Sequence, residues 1–214
     1  MRIIENGLQF KQLQVRKTTR LIVLHHSASP DVPAAEIHAW HLARGWTGIG
    51  YHFVIHKNGQ IERGRPPETI GAHAGPGING HSIGICLCGN FMQELPDDAQ
   101  LHSLKELIAE LNRHYAASHP EGLAVKLHRE VAATECPGKN FPGEQFKSIS
   151  QSQVISRDER QPEDWQQRLL QEAREVGLIR EQHQPDDPAP KWFVLAVALQ
   201  VLKMIMNGGK DLEG

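Results

Sequence analysis

RLIVLHHSA, residues 20–28, is the stretch that decides the fold of this chain. Its residues 21–24 are consecutive apolar residues that include the β-branched pair Ile22 and Val23, a pattern that predicts a short buried strand. The run ends at two histidines, His25 and His26. The sequence therefore predicts a core strand whose carboxyl end presents imidazole side chains.

The segments after this strand alternate between helix and strand patterns. Asn58-Gly59 is a type I′ turn signal inside a hairpin pattern, and Asp97 is an N-cap signal before a long apolar stripe of helical period. In chain order, we predict a helix over 34–44, a hairpin over 48–66, a central strand over 81–91, a long amphipathic helix over 98–117 and a short strand over 125–128 followed by an irregular loop.

The last third of the chain has a different pattern. Residues 148–162 are polar and lack periodicity, which is typical of a linker. Two helical patterns joined by a short loop follow, so we expect residues 163–214 to form a helical hairpin beyond a first domain at residues 1–147. Cell-wall binding, dimerisation and a lid packed on the first domain are all open interpretations of this hairpin.

Composition excludes several classes of protein. The formal charge of −2 over 214 residues leaves no basic surplus for nucleic acid. The three cysteines are too few for a disulfide framework and suit a reducing cytoplasm. The longest apolar stretch, residues 192–206, is interrupted by Gln200 and Lys203 and is too short for stable membrane insertion. Because the N-terminal residues lack an apolar signal segment, we expect synthesis without a signal peptide.

Three residues far apart in the sequence suggest a metal centre. His25 and His128 each end a predicted strand, and Cys136 follows eight residues after His128 in a loop that contains Pro137 and Gly138. Imidazole and thiolate groups are good zinc ligands, and a catalytic zinc site uses three protein ligands with a fourth position open. These three side chains are therefore candidate ligands of a zinc ion, and a structural role for each histidine is the alternative.

Five motifs in order carry a family resemblance. They are LHHSAS (24–29), GIGYHFVIHKNGQI (48–61), GAHAG (71–75), HSIGICLCGNF (81–91) and KLHREVAATECPG (126–138). Over residues 21–141 the chain resembles the type 2 N-acetylmuramoyl-L-alanine amidases, which include phage lysozyme-amidases and peptidoglycan recognition proteins. The resemblance implies an α/β fold with a central mixed β-sheet flanked by helices. It also implies that His25, His128 and Cys136 bind one zinc in a surface groove.

The resemblance also implies roles for residues around the metal. Tyr51 matches the active-site tyrosine of the family, and Thr134 stands where some phage members carry a lysine and many recognition proteins a threonine. As hydrogen-bond donors, both are candidates to stabilise an oxyanion. The residues predicted to line the substrate groove are His73, Asn79 and His52. Glu130 and His26 are predicted to lie beside the metal ligands and to orient them. The alternative for His73 is a solvated loop histidine, that for Glu130 is a surface carboxylate, and that for His26 is a structural role.

The expected activity is zinc-dependent hydrolysis of the amide between N-acetylmuramic acid and L-alanine in bacterial peptidoglycan. Two alternatives stay open at this point, a peptidoglycan receptor without turnover and a zinc peptidase that cuts within the stem peptide. The resemblance favours a phage or prophage endolysin, made in the cytoplasm and acting on the cell wall after release. Peptidoglycan is the expected partner, and a homodimer through the C-terminal helices is one interpretation of the hairpin.

Overall fold

The computed structural model describes residues 2–147. This part of the chain forms one six-stranded sheet with helices on both faces. The strands are β1 (Ile3–Ile4), β2 (Leu21–His26), β3 (Phe53–Ile55), β4 (Ile61–Arg63), β5 (Ser82–Leu87) and β6 (Ala124–Leu127). The α-helices are α1 (Ala34–Ala43), α2 (Pro76–Asn79), α3 (Asp98–His114) and α4 (Glu144–Lys147), and a 3₁₀ helix spans His128–Glu130.

The sheet is mixed, as predicted, with strand order β1-β4-β3-β5-β2-β6. Every pairing is parallel except that of β3 with β4. Strand β2 is buried along its whole length between β5 and β6, because parallel strands covered on both faces exclude water. The prediction of a core strand at residues 21–24 is confirmed, and β2 extends through both histidines.

The two faces of the sheet have separate cores. One core packs α3 on the sheet through apolar residues such as Leu24, Ile85 and Leu104. The other packs α1 on the sheet through Val54 and Cys88 among others. Because successive side chains on a strand point to opposite faces, His25 and His26 lie on different sides of the sheet. The predicted N-cap of α3 is confirmed at Asp97, whose backbone N–H donates to the Gln100 side chain.

The hairpin between β3 and β4 is confirmed, but its predicted turn type is wrong. A type I′ turn needs a positive φ at both central residues. Among residues 2–147, Ala28 is the sole non-glycine with positive φ, so Asn58 does not meet that requirement, whereas Gly59 has φ 83°. Gly59 N–H donates to the His56 carbonyl at 2.9 Å, and His56 N–H donates to the Gln60 carbonyl at 2.9 Å. The connection is therefore a three-residue loop that places glycine in the left-handed region.

The predicted linker at 148–162 and helical hairpin at 163–214 lie outside the described residues. Within the described part, no helix is long and apolar enough to cross a membrane.

Candidate metal centre and active site

The three predicted ligands lie together in the structure. One ligand atom from each of His25, His128 and Cys136 falls within 4.8 Å of the others. The Cys136 Sγ is 3.8 Å from the His25 Nδ1, and the two imidazole rings are 4.4 Å apart between centroids. Strand β2 supplies His25, and His128 follows directly after the neighbouring strand β6, so the sheet itself sets the spacing of the two imidazoles.

The loop that carries Cys136 is fixed by backbone hydrogen bonds. Arg129 N–H donates to the Cys136 carbonyl at 2.8 Å, and the Arg129 guanidinium donates to the Gly138 carbonyl at 2.8 Å. Gly138 has φ 102°, and a Cβ there would stand 2.4 Å from the Phe91 backbone. Because a side chain at this position would collide with fixed backbone, glycine is required for the loop to bring the thiol to the imidazoles.

The protonation states of the three side chains suit a borderline metal ion. Burial lowers the pKa of His25 well below 6.5, with His73 and His128 adding to the effect, and burial also lowers the pKa of His128. Both imidazoles are therefore neutral and have a free lone pair. Burial raises the pKa of the Cys136 thiol to about 11, against the opposing effects of the His26 backbone N–H and Arg129. A bound cation is what would hold this sulfur as a thiolate at neutral pH.

A chain of hydrogen bonds behind His25 selects which of its nitrogens faces the centre. The Ser82 hydroxyl donates to the Ile78 carbonyl at 2.8 Å, and its oxygen lies 3.3 Å from His73 Nε2. Since that hydroxyl proton is already used, Ser82 accepts from His73 Nε2–H. The unprotonated His73 Nδ1 then accepts from His25 Nε2–H across 3.0 Å. The His25 Nδ1 lone pair is left pointing towards Cys136 and His128.

Two glycines leave space for the His73 ring beneath His25, and Asn79 holds the backbone of its loop. A Cβ on Gly84 would meet the His73 ring at 2.6 Å, and one on Gly71 would meet it at 2.5 Å. The Asn79 side-chain oxygen accepts from the backbone N–H groups of His73 and Ala74 at 3.0 and 2.9 Å. The GAHAG motif and the glycine of β5 thus shape a pocket for one buried imidazole.

Tyr51 packs beside the same imidazole. Its ring centroid lies 5.1 Å from that of His25. Burial raises the pKa of Tyr51 well above 10, and the neighbouring Cys86 and Cys136 thiols add to the shift. The phenol is therefore protonated and neutral, and it is a hydrogen-bond donor at the edge of the centre.

Other predicted site residues contact the backbone. His26 donates its backbone N–H to the Cys136 Sγ at 3.5 Å, while its ring accepts from Phe91 N–H. Glu130 accepts from the Leu127 N–H at 2.6 Å and pairs with Lys147. The Thr134 hydroxyl oxygen accepts from the Cys136 N–H at 3.2 Å, on an exposed part of the loop.

His52 lies in the interior of the fold. It is fully buried, accepts from the Gly84 N–H at 2.9 Å and contacts Arg16 and the Thr69 carbonyl. Burial lowers its pKa to about 3.

Two residues near the centre were not predicted from the sequence. Ser82 supports His73, and Cys86 contacts the Tyr51 hydroxyl. Both lie on β5, where residues at alternate positions (82, 84 and 86) share the face that carries His25. The alternation of residues in HSIGICLCGNF could therefore have indicated that Ser82 and Cys86 lie near the centre.

The chain matches known proteins over the same region. A family model described as N-acetylmuramoyl-L-alanine amidase matches residues 15–139. The endolysin of Escherichia phage T7 is 39% identical over 138 residues, which is 61% of this chain and 85% of the phage protein. Peptidoglycan recognition protein 1 of Bos taurus is 34% identical over 148 residues, covering 64% of this chain and 74% of that protein.

Solved structures agree with these matches. The N-acetylmuramoyl-L-alanine amidase LysC from Clostridium intestinale superposes with a TM-score of 0.62 at 37% identity, over 69% of this chain and 96% of that structure. A point mutant of the Drosophila protein PGRP-LB, in complex with tracheal cytotoxin, superposes with a TM-score of 0.60 at 30% identity, over 68% and 93% of the two chains. This chain belongs to the N-acetylmuramoyl-L-alanine amidase family, and it is an amidase.

Proposed function

We propose that this chain uses one zinc ion, held by His25, His128 and Cys136, to hydrolyse the amide between N-acetylmuramic acid and L-alanine in peptidoglycan. The observation that carries the proposal is the convergence of these three donor atoms within 4.8 Å at the end of β2 and β6. Two neutral imidazoles and one thiol form a donor set that zinc prefers. A zinc ion bound there would polarise the substrate carbonyl and activate water at neutral pH.

His73 orients a ligand in this proposal. Its hydrogen bond to His25 Nε2 and the Ser82 oxygen behind it fix His25 in the tautomer that exposes Nδ1. Such partners of a ligating histidine raise its basicity and reduce the entropy lost on metal binding. His73 thereby acts through His25 and is a positioning residue.

Tyr51 and Thr134 are proposed to contact the reacting carbonyl. The carbonyl oxygen gains negative charge as the amide carbon becomes tetrahedral, and the neutral Tyr51 hydroxyl donates a hydrogen bond to it. The Thr134 hydroxyl has its oxygen occupied by the Cys136 N–H but its proton available, so it donates a second, neutral hydrogen bond. The oxygen of water bonds to the carbonyl carbon, the C–N bond breaks, and the L-alanine nitrogen leaves as an amine that carries a proton from that water.

Supporting roles are proposed for His52, Asn79 and Glu130. His52 is enclosed by Arg16 and β5, Asn79 holds the backbone of the His73 loop, and Glu130 holds the turn after β6. Each acts on the position of a residue nearer the centre, and none needs to touch substrate for its contacts to be explained.

We further propose that the chain serves as an endolysin that degrades the cell wall. The phage relatives that carry this name match it over 85% of their own length. The substrate is then intact peptidoglycan, reached after release from the cell in which the enzyme is made.

Mass spectrometry of digested muropeptides tests the activity. Purified sacculi treated with the full chain should yield free peptides with a new L-alanine amine and glycan ends with an unsubstituted lactyl group. A metal chelator should abolish release, and added Zn²⁺ should restore it. Cuts within the stem peptide would instead identify a zinc peptidase, and binding to sacculi without any released peptide would identify a receptor.

Truncation after Ile149 tests the role of the C-terminal residues. Loss of sacculus binding with retained activity on soluble muropeptides supports wall targeting. A change from the mass of a dimer to the mass of a monomer in solution supports dimerisation through the removed residues.

A further inference from the structure

A second group of metal-ligating side chains lies outside the amidase centre. Asp31, His56 and Cys88 each place one ligand atom within 4.8 Å of the other two. They come from three separate segments: the loop after β2, the end of β3 and the end of β5. Their meeting is therefore a product of the fold, and no local sequence motif brings them together.

We propose that Asp31, His56 and Cys88 bind a second divalent transition-metal ion, such as Zn²⁺, in a structural site. Carboxylate oxygen, imidazole nitrogen and thiolate sulfur are the three donor types that zinc accepts. His56 contributes Nδ1, which stands 2.8 Å from Asp31 Oδ1. Cys88 is fully buried and contributes its sulfur, and Asp31 lies at the partly exposed rim where solvent completes the coordination.

The surroundings of His56 are a second, independent reason to expect that this side chain binds an ion. His56 is buried. Its Nε2 is fully enclosed and makes no hydrogen bond to any of residues 2–147. Glu62 Oε1 lies 3.1 Å from that nitrogen, but the two groups are misaligned. A cation that pulled Nδ1 towards it would turn the ring and let Nε2–H donate to Glu62. A carboxylate behind a ligating histidine is the common arrangement in zinc sites.

Glu62 is itself held in place for this role. Its other oxygen accepts from the Ala34 N–H at 2.8 Å and from the Asn6 side chain at 3.0 Å. The ion would therefore join the N-terminus of α1, the β3–β4 hairpin and the end of β5. The Cys88 thiol donates to the Val32 carbonyl at 3.2 Å. Binding of the metal ion would release that thiol proton to solvent.

Zinc stoichiometry tests the proposal. The full chain is loaded with Zn²⁺, desalted, and analysed for zinc and protein by elemental and amino-acid analysis. We expect two ions per wild-type chain, one in Cys88→Ser, one in Cys136→Ala and none in the double variant. Cys86→Ser is the matched control: this thiol is buried on the same strand but belongs to neither donor group, so two ions should remain.

Other outcomes separate this proposal from the amidase centre. One ion in the wild type and none in Cys136→Ala would overturn the second site while leaving the amidase centre intact. One ion in the wild type and in Cys136→Ala, with none in Cys88→Ser, would support the second site and overturn the first. An ion that persists in the double variant lies elsewhere and contradicts this proposal. If Cys88→Ser fails to fold, Asp31→Asn at the exposed rim replaces it and should also retain one ion, with Asp98→Asn as its control.

Discussion

Two clusters of metal-ligating side chains lie on the same face of one sheet, and they differ in charge. His25 pairs in register with Cys86, Cys86 with Val54, and Val54 with Glu62, so His25 and Glu62 share a face. The amidase centre offers two imidazoles and one thiol that a bound ion would deprotonate, with His73 behind His25. The Asp31–His56–Cys88 cluster offers one imidazole, one carboxylate and one thiol that a bound ion would deprotonate, with Glu62 behind His56.

That difference fits the catalytic role proposed for one cluster and the structural role proposed for the other. A divalent ion held by the first donor set keeps a net charge of +1 and remains an effective Lewis acid. The same ion held by the second set is neutralised by the carboxylate and the thiolate, and Glu62 adds negative charge nearby. The charge of the ion sets the local electrostatics of a metal site. Neutral ligands therefore leave the ion able to polarise a substrate, whereas anionic ligands favour tight retention of the ion.

The largest expected effect is the loss of amidase activity when a ligand of the first cluster is removed. Cys136→Ala should lower peptide release by about a thousandfold or more, because metal catalysis contributes several kcal/mol to such reactions. Release of peptides from sacculi measures it. Glu135→Gln, an exposed change in the adjacent position, should retain activity. Full-rate turnover by a folded, metal-free Cys136→Ala chain would contradict the proposed centre.

The next largest effect is expected from removal of the Tyr51 hydroxyl, which lies beside the first cluster. Tyr51→Phe should lower kcat by about 100-fold, the usual cost of removing one oxyanion donor, without loss of zinc. Steady-state kinetics on soluble muropeptides and zinc analysis check both parts. Tyr115→Phe is the control, since that hydroxyl lies 3.4 Å from Arg16 at the far end of β2. A loss of zinc in Tyr51→Phe would instead assign this residue a structural role.

The partners behind the two imidazoles allow a matched comparison. His73→Ala should weaken zinc binding at the amidase centre by about 10–100-fold, the usual effect of removing such a partner. His73→Asn should recover part of it, because its amide oxygen can replace Nδ1 as acceptor. Competition titration of the apo chain with Zn²⁺ measures this without relying on turnover. Glu62→Gln should weaken the other site alone, and equal loss at both sites would indicate a general structural effect.

The last expected effect concerns acid stability on the histidine-rich side of the sheet. The pKa of His52 is about 3 in the folded chain, below its unfolded value near 6.5. As pH falls below 6.5 the unfolded state takes up this proton first, so the free energy of unfolding decreases by about 1.4 kcal/mol per pH unit until pH approaches 3. His52→Asn should reduce that slope by about one proton. Chemical denaturation between pH 6.5 and 4 measures it, and an unchanged slope would refute the assignment.

Much of the arrangement of the amidase centre was predictable because His25 and His128 lie at strand ends and Cys136 lies in a loop within an ordered motif. The three residues were predicted together from sequence, and the structure places their ligand atoms within 4.8 Å of one another. The mixed sheet and the N-cap of α3 were also predicted. The position of His73 was not predicted, because its burial under His25 depends on the space left by Gly71 and Gly84. The turn after β3 was mistaken because Asn-Gly also fits a three-residue loop with glycine alone in the left-handed region.

The sequence by itself determined the buried strand that starts at Leu21, the family and three candidate metal ligands, because those features lie in local patterns of apolar period and motif order. Only the tertiary structure decided which nitrogen of His25 faces the centre and that Asp31, His56 and Cys88 meet. The reason is physical: tautomers and donor clusters follow from hydrogen bonds and side-chain distances between strands, and these distances exist only after the sheet has set its register.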